Sequence, residues 1–521
     1  MQDEKDKGMG EGAKAGVDRR TFLRTSAAAS AAGALSLAAA ACAGDDDGAR
    51  EPGETPEPPI EDGAQRVSFA PEAIAEDEIM FPLGVQAGAV HADSAILWAL
   101  ADDGSASKRL RVWRSAGEAG QVYLHTDIDV QAAEGYLKTR VSGLAAGAEY
   151  RYAFFDVAGD GSLALRSTIG RFRSAWPAGS TRPLLVGTAT CTSLSRAPYR
   201  SMLRTAQEDV DCFFHVGDMS YNDAAYRSTI GQPADVVRAA YRQIWRATLA
   251  DPGYRALLAK TGSYITWDDH EVDDNWDPET YNPVSLQAAK EAYFETLPND
   301  RFANDRLWTS YRWGSSVEVF LLDCRSERLP STRHGAGPAQ YLSPEQMAWF
   351  KQALKDSPCH FKVVLNSVPM AKMPPPFWIM AEDRWDGYQD QRTEILDWID
   401  AHDIANVWFI SGDFHVGFVA RVAPERTGAA GRVRDIAVGP GANGPNPLVG
   451  IIESFPDRLE RIFPSGQFEY FTRLDQYDVA TLLRFDPSSN SVHVRFIHTP
   501  RGSEDETLLY DAVLSDDDFR G

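Results

Sequence analysis

Short apolar segments alternate with amphipathic ones throughout residues 181–521, and this alternation is the feature that most constrains the fold. Segments such as 184–188 and 361–365 have the length and apolar content of buried strands. A helix is predicted to begin at Pro344, because Ser343 can cap its first turn and apolar residues follow at helical spacing. An α/β body with strands covered by helices is therefore predicted.

Several of these apolar segments end directly in polar residues that can bind metal ions. The endings are Thr190-Cys191, Gly217-Asp218, Asp268-Asp269-His270-Glu271, Asp323-Cys324-Arg325 and Gly412-Asp413-Phe414-His415. In α/β folds, ligands bind beyond the carboxyl ends of the strands. A single Gly-Asp after a strand is usually a turn. Because so many such endings occur in one region, we expect the groups to meet in one crevice.

Residues 67–175 have a different pattern, in which short alternating segments are separated by turns rich in Gly and Asp. Segments 95–98 and 150–155 are examples, and the pattern predicts a small β-sandwich. The spacing of residues 144–152 is similar to a strand entry of fibronectin-like domains. Because clusters of catalytic residue types are missing from this segment, a packing or docking module is predicted.

The N-terminus has the pattern of an export signal. In residues 1–42, the pair Arg19-Arg20 precedes an Ala-rich run, and the arrangement resembles a twin-arginine signal peptide. A transmembrane anchor is the alternative, but the run has few bulky apolar residues. Residues 43–66 are rich in acid, Gly and Pro, which predicts a disordered linker. Export by the twin-arginine pathway to a periplasmic, secreted or surface-anchored location is expected, with lipidation of Cys42 left open.

Net charge limits the possible partners, and cysteine spacing limits the possible structural motifs. The formal net charge is −23 and no basic run is present, so nucleic acid and anionic membranes are not expected as main partners. An acidic chain that binds an anion needs local positive charge, and bound metal ions can supply it. The five cysteines lack close-paired spacing, so neither a zinc ribbon nor a dense disulfide framework is predicted.

Four blocks in the α/β region resemble those of a known family. They are GDMSY at 217–221, WDDHEV at 267–272, DCRSER at 323–328 and SGDFH at 411–415. Together they resemble the PhoD-type alkaline phosphatases, metallophosphoesterases related to purple acid phosphatases. The likeness extends from about Phe81 to the C-terminus. It implies an α/β metallophosphoesterase sandwich preceded by a fibronectin- or Ig-like β-sandwich, and an enzyme that hydrolyses phosphate monoesters, diesters or both.

The resemblance also implies a metal pair, Fe³⁺ with Ca²⁺, whose ligands transfer by position. Cys191 and Tyr221 would bind iron as thiolate and phenolate, and Asp218 would bridge the two metals. Asp269 is assigned to the second metal, with Asn275 as the competing candidate in that block. The full set of implied ligands is Cys191, Asp218, Tyr221, Asp269, Asn275, Asp413 and His415.

Two further residues are candidates for catalysis. We expect His270 to protonate the leaving alkoxide or to contact the phosphate, with Asp268 or Glu271 orienting its ring. A purely structural histidine is the alternative. Arg325 could clamp phosphate oxygens through its planar guanidinium, or it could only pair with Asp323.

The expected substrate is a small phosphate ester. These residues do not decide whether phospholipid or teichoic acid is also a substrate. Two other functions stay open. One is a purple-acid-type phosphatase, which would need a Gly-His-x-His block that the sequence lacks. The other is a non-catalytic surface lipoprotein built on a decayed phosphatase fold.

Overall fold

A computed structural model describes residues 60, 64–373, 377, 382–454 and 467–515. The predicted signal peptide, with Arg19, Arg20 and Cys42, lies outside these residues, as does most of the predicted linker. The last two positions of that linker already belong to a strand, because residues 65–68 pair antiparallel with residues 121–124. In the described part of the chain, no helix has the length and apolar character needed to span a bilayer.

Ten strands make up the first part of the structure, and nearly all of them pair antiparallel. They are β1 (Gln65–Ser68), β2 (Ala75–Glu76), β3 (Val85–Gly88), β4 (Ser94–Leu100), β5 (Ser107–Ser115), β6 (Gln121–Ala133), β7 (Tyr136–Ser142), β8 (Glu149–Val157), β9 (Leu163–Arg166) and β10 (Gly170–Arg173). The segments singled out at 95–98 and 150–155 lie in β4 and β8. Their assignment to a fibronectin- or Ig-like domain stays a prediction, as does the domain boundary near residue 175.

Strands and helices alternate in the second part, which confirms its predicted α/β character. These elements are β11 (Leu184–Ala189), α1 (Arg200–Thr205), β12 (Cys212–Val216), α2 (Asp223–Thr229), α3 (Ala234–Leu249), α4 (Pro252–Leu258), β13 (Gly262–Thr266), α5 (Pro283–Thr296), β14 (Thr309–Trp313), β15 (Val317–Leu321), α6 (Pro344–Asp356), β16 (Phe361–Leu365), α7 (Gln389–Ala401), β17 (Val407–Ser411), β18 (Phe418–Arg421), β19 (Arg434–Ala437), α8 (Leu448–Ser454), β20 (Phe468–Phe471), β21 (Val479–Asp486), β22 (Ser491–His498) and β23 (Thr507–Ser515). The α6 helix begins as predicted, because the Ser343 hydroxyl accepts a hydrogen bond from the Gln346 N–H at 3.1 Å.

Two mixed sheets form the centre of this α/β part. In the first, β11, β12 and β13 run parallel, and β21, β22 and β23 extend it antiparallel. In the second, β15, β16, β17 and β19 run parallel, β14 pairs antiparallel with β15, and β18 pairs antiparallel with both β19 and β20. The N-terminal strands continue the first sheet without a break, because β3 pairs parallel with β13.

Side chains on alternate faces of the strands build three buried apolar layers. Phe214 of β12 and Val319 of β15 belong to one buried cluster between the two sheets. On the opposite face of the first sheet, Phe213 packs in a cluster with residues of α1, α3, α4 and α5, among them Trp245. On the outer face of the second sheet, Phe320 packs with residues of α6 and α7. Strand residues point alternately to opposite faces, so each buried strand serves both an inner and an outer apolar layer.

A partly buried lysine ties the N-terminal strands to the α/β layers. Nζ of Lys138, on β7, donates hydrogen bonds to the carbonyl oxygens of Phe294, Leu297 and Asn299 at 2.8, 2.9 and 2.9 Å. These carbonyls lie at the C-terminal end of α5, where helices lack internal donors and favour a positive charge. Burial lowers the pKa of Lys138 to about 8. The three hydrogen bonds therefore serve as a cap that crosses between the two parts of the chain.

Replacing this lysine tests the importance of the cap. Lys138→Met keeps the apolar stem but leaves three buried carbonyls without their donor, so we expect the free energy of unfolding in urea to fall by roughly 1–3 kcal/mol. Lys355→Met, at an exposed position on α6, is the control and should change it by less than about 0.5 kcal/mol. Equal effects of the two substitutions would contradict this interpretation.

Candidate metal centre

Loops from both sheets meet at one edge of the sandwich, beyond the carboxyl ends of the parallel strands. The first sheet contributes Cys191 after β11, Asp218 after β12, and Asp269 and His270 after β13. The second sheet contributes Asp413 and His415 after β17. Three overlapping groups have ligand atoms within 4.8 Å of one another: Cys191, Asp218 and His415; Asp218, Asp269 and His270; and Asp268, Asp269 and Asp413.

Sulfur, oxygen and nitrogen donors lie together on one side of this cluster. The Cys191 Sγ is 3.4 Å from Oδ2 of Asp218, and the Tyr221 hydroxyl is 3.3 Å from the same oxygen. The Tyr221 hydroxyl is also 3.2 Å from Nε2 of His415. Burial and the nearby His270 lower the pKa of His415 to about 4, so its imidazole is neutral, which is the form that binds metals.

Asp269 offers a free carboxylate oxygen on the other side of the cluster. Its Oδ2 accepts a hydrogen bond from the backbone N–H of Asn275 at 2.7 Å. Its Oδ1 is buried and no described residue donates a hydrogen bond to it, with Nη2 of Arg325 3.6 Å away. The side-chain amide nitrogen of Asn275, the competing ligand, donates to Asp274 at 3.0 Å. A buried carboxylate oxygen without a donor is costly unless a cation satisfies it.

Most of the implied ligands adopt backbone conformations that side chains usually avoid. Five of them have left-handed φ angles: Cys191 (54°), Asp218 (59°), Asn275 (54°), Asp413 (64°) and His415 (51°). Such conformations are uncommon outside glycine and persist where the surrounding structure fixes them. Their concentration at one edge of the sandwich indicates that the chain is bent there to direct side chains to a common point.

The charge of the cluster is strongly unbalanced. Five carboxyl groups lie close together: Asp218, Asp268, Asp269, Glu271 and Asp413. Burial raises the pKa of Asp218 and of Asp413 well above their usual range, and it raises the pKa of Asp268 to about 6 and of Glu271 to about 7. Burial also raises the pKa of the Cys191 thiol, and the Asp218 carboxylate adds to this effect. Bound cations would reverse these shifts, so the donor set fits a metal centre.

His270 is held by a carboxylate that was not anticipated. Its Nδ1 lies 3.0 Å from both carboxylate oxygens of Asp223, and its ring stacks on Tyr221 with centroids 4.2 Å apart. The expectation that Asp268 or Glu271 orients the ring is wrong, because those carboxylates bind Arg325 and backbone N–H groups. Burial lowers the pKa of His270, but Asp269, Asp218 and Asp223 together raise it to about 11.

Arg325 is fully engaged with carboxylates of the protein. Its side chain is buried, and its Nε and Nη2 donate to the two oxygens of Asp268 at 2.6 and 2.9 Å. Its Nη1 donates to Asp383 at 2.5 Å, and its Nη2 lies 3.6 Å from Asp269. Only its backbone N–H contacts the Asp323 carboxylate. The guanidinium thus partly neutralises the cluster, and its role as a phosphate clamp stays a prediction.

Comparison with known proteins agrees with this geometry. Residues 185–441, which hold nearly all of the cluster, match the family model described as PhoD-like phosphatase. The chain carries a PhoD-like phosphatase domain. Alkaline phosphatase D of Bacillus subtilis (strain 168) is 26% identical over 298 residues. That match covers 49% of this chain and 50% of the relative, so the chain spans about half the length of the curated relative it matches.

Solved structures extend the likeness in fold beyond the PhoD-like domain. A structure of PhoD is 20% identical with a TM-score of 0.66, covering 84% of this chain and 89% of the other. The purple acid phosphatase PPD1 from yellow lupin (Lupinus luteus) seeds is 11% identical with a TM-score of 0.55, covering 83% and 73%. At these identities the matches show a shared mixed α/β fold.

Some residues of the PhoD-like site were missed by sequence reasoning. Asn443 donates to the Tyr221 hydroxyl at 2.8 Å and lies 3.3 Å from Nε2 of His415. It follows β19 in a Gly-Pro-Gly-Ala-Asn turn, so the strand-end pattern could have identified it. Asp223, which holds His270, and Asp383, which holds Arg325, follow no strand and gave no such signal.

The unbalanced charge makes the stability of the metal-free protein depend on pH. In protein stripped by a chelator, the raised pKa of Asp413 means that the folded state keeps a proton that the unfolded state releases above about pH 4. This contribution to stability is present at low pH and is lost as pH rises towards the folded pKa. Asp413→Asn mimics the protonated form. The free energy of unfolding of this variant in urea, minus that of wild type, should therefore rise by up to about 1.4 kcal/mol for each unit of increasing pH.

Asp127→Asn is the control, because the opposite dependence of stability on pH is expected for it. Ion pairs with Arg111 and Arg109 outweigh burial and lower the pKa of Asp127, so its stabilisation is present at neutral pH and lost on acidification. This variant should be less stable than wild type at pH 7 and should approach it at low pH. An Asp413→Asn advantage that does not change with pH would rule out the proposed charge imbalance.

Proposed function

We propose that this chain is an exported, metal-dependent phosphoric ester hydrolase that acts on phosphate monoesters, diesters or both. One observation carries the proposal: a PhoD-like domain places thiol, phenol, imidazole and carboxylate donors around an excess of negative charge, with Oδ1 of Asp269 lacking a donor. That combination supports bound cations, and cations at a strand-end crevice suit an anionic substrate.

The donor set supports a mixed pair of Fe³⁺ and Ca²⁺. The thiolate of Cys191, the phenolate of Tyr221 and the imidazole of His415 suit iron. The oxygens of Asp413 and Asp269 suit calcium, with Asn275 as the alternative to Asp269. Asp218 lies in two of the three ligand groups and is therefore suited to bridge the pair. When bound, the metal ions supply positive charge against phosphate oxygens and a water molecule of lowered pKa.

His270 is proposed as the proton donor to the leaving alkoxide. The Asp223 carboxylate accepts the hydrogen bond of Nδ1, so Nε2 is the atom left to carry the transferred proton. Stacking on Tyr221 fixes the plane of the ring beside the metal cluster. The Asp223 contact thus takes the orienting role that general acid catalysis requires.

Glu271 and Arg325 are proposed as positioning residues. The Glu271 carboxylate accepts hydrogen bonds from the backbone N–H groups of Asp218, Met219 and Asp268 at 3.1, 2.6 and 2.9 Å. It therefore joins the loops after β12 and β13 at the point that sets the orientation of the Asp218 side chain. The engagement of Arg325 with Asp268 and Asp383 favours a similar role over direct contact with phosphate.

Two other functions are less well supported by these residues. A purple-acid-type phosphatase shares the fold, but Gly412-Asp413-Phe414-His415 after β17 favours the PhoD type over a Gly-His-x-His ending. A non-catalytic surface lipoprotein is disfavoured because every expected donor type is present and brought together. Phospholipid and teichoic acid stay candidate substrates, since much of the loop at 372–386 lies outside the described residues.

Metal analysis with paired cysteine variants tests the centre. Purified wild type should contain iron and calcium and hydrolyse a p-nitrophenyl phosphate monoester, its matching diester, or both. Cys191→Ala should lose iron and reduce kcat by at least about a hundredfold, the scale of removing one electrostatic catalytic group. The control Cys359→Ala removes another buried free thiol, whose Sγ contacts the Gly314 carbonyl, and should keep both metals. Wild-type protein without either metal, or full activity in Cys191→Ala, would refute the proposed centre.

Export by the twin-arginine pathway, with Cys42 as a possible lipid attachment point, is proposed from residues 1–42. Changing Arg19 and Arg20 together to Lys keeps the charge but removes the paired guanidinium groups that resemble the signal. The protein should then accumulate in the cytoplasm, as measured by cell fractionation. Arg24→Lys is the matched control in the same region and should be exported normally. Unchanged export of the double variant would exclude this pathway.

A further inference from the structure

A cavity of about 360 Å³ adjoins the metal centre. Its walls include Asn275, Arg328, Arg333, Glu382 and Asp383. Two of these residues also contact the centre. The backbone N–H of Asn275 donates to Asp269, and the Asp383 carboxylate accepts a hydrogen bond from Arg325. A molecule whose phosphate group lies at the metal centre could therefore extend into this cavity.

Two guanidinium groups form part of the wall, and they differ in how firmly they are paired. The side chain of Arg328 is only 3% exposed; it binds Asp383 and donates from Nη2 to the carbonyl oxygen of Trp276 at 2.8 Å. The side chain of Arg333 is 15% exposed, with Nη1 at 3.4 Å from the Glu382 carboxylate. The Nε atoms of both arginines are buried, so a molecule in the cavity would be contacted by the Nη atoms instead.

The carboxylates of the wall are partly occupied or face solvent. The Oδ1 atom of Asp383 binds both Arg325 and Arg328. Asp277 accepts hydrogen bonds from the N–H of Glu279, the N–H of Thr280 and the Thr280 hydroxyl at 2.9, 3.0 and 2.7 Å. The side chain of Glu382 is 76% exposed, so its attraction to Arg333 is weakened by solvent. Arg333 is therefore the cationic group of the wall that is least committed to carboxylates of the protein.

We propose that this cavity binds a second acidic group, a carboxylate or a phosphate, carried by the same ester whose reacting phosphate lies at the metal centre. The proposal rests on the proposed function and deepens it by naming the substrate class. Arginine N–H groups form charge-assisted hydrogen bonds with such oxygens, and these bonds are stronger than those to neutral acceptors. Arg333 is the specificity-determining residue, because its only charged partner is the exposed Glu382 among the described residues.

Binding of non-hydrolysable phosphonates to the full metal-loaded chain tests this proposal. Alkyl phosphonates of several chain lengths, ending in carboxylate, methyl or ammonium, would be compared by calorimetry. At the best length, the carboxylate should bind about tenfold more tightly than its methyl counterpart, the ratio that one charge-assisted hydrogen bond supplies. Arg333→Ala should remove this preference. Glu382→Gln, at an exposed position, should increase it by freeing Arg333, and it also covers the case in which Arg333→Ala fails to fold.

Other outcomes would overturn the proposal. Equal binding of carboxylate and methyl compounds at every length would do so, as would tighter binding of the ammonium series or a preference that persists in Arg333→Ala. Hydrolysis of p-nitrophenyl phosphate and of its matching diester by the same preparation separates this failure from failure of the proposed function. Hydrolysis without a carboxylate preference refutes the cavity assignment alone, whereas a preference without hydrolysis refutes the enzymatic proposal.

Discussion

Crowding of carboxylates where the two sheets meet is the constraint that organises this protein. Asp218, Asp269 and Asp413 come from three different strands and converge at one edge, where burial opposes their ionisation. Only Arg325 brings a fully buried positive charge into contact with the cluster among the described residues, and it is shared with Asp268 and Asp383. Three features keep these groups together. They are the left-handed backbone at the strand ends, the Glu271 bridge between loops and the donor set suited to metals.

The sequence predicted the general architecture because the signals involved are local. Buried strands and amphipathic helices have distinct periodicities, and α6 begins at its predicted cap. The strand-end pattern placed Cys191, Asp218 and His415 at one edge, and the structure brings their ligand atoms within 4.8 Å. Parallel strands that end at a common edge are sufficient to produce this convergence.

The contacts that the sequence could not reveal join residues distant along the chain. The Asp223 contact with His270 spans 47 positions, and the Arg325 contact with Asp268 spans 57. Such pairs depend on how loops fold over the sheet, and no periodicity encodes them. For the same reason the sequence does not distinguish a phosphate clamp from an ion pair for Arg325, since composition does not tell which carboxylates will surround a guanidinium. Asn443 differs, because it obeys the strand-end rule and was overlooked.

The pairing of β3 with β13 has a consequence for dissecting this chain. Residues 87 and 88 lie beside residues 262 and 263, so the strand that leads to Asp269 and His270 is an interior strand only because of the N-terminal segment. A fragment cut near residue 180 would turn β13 into an open edge with unpaired backbone N–H and carbonyl groups. Exposed edges of this kind recruit strands from other molecules. The N-terminal strands thus protect the sheet that carries Asp269 and His270 against self-association, and expression of the residues after 180 alone would favour aggregates over soluble protein.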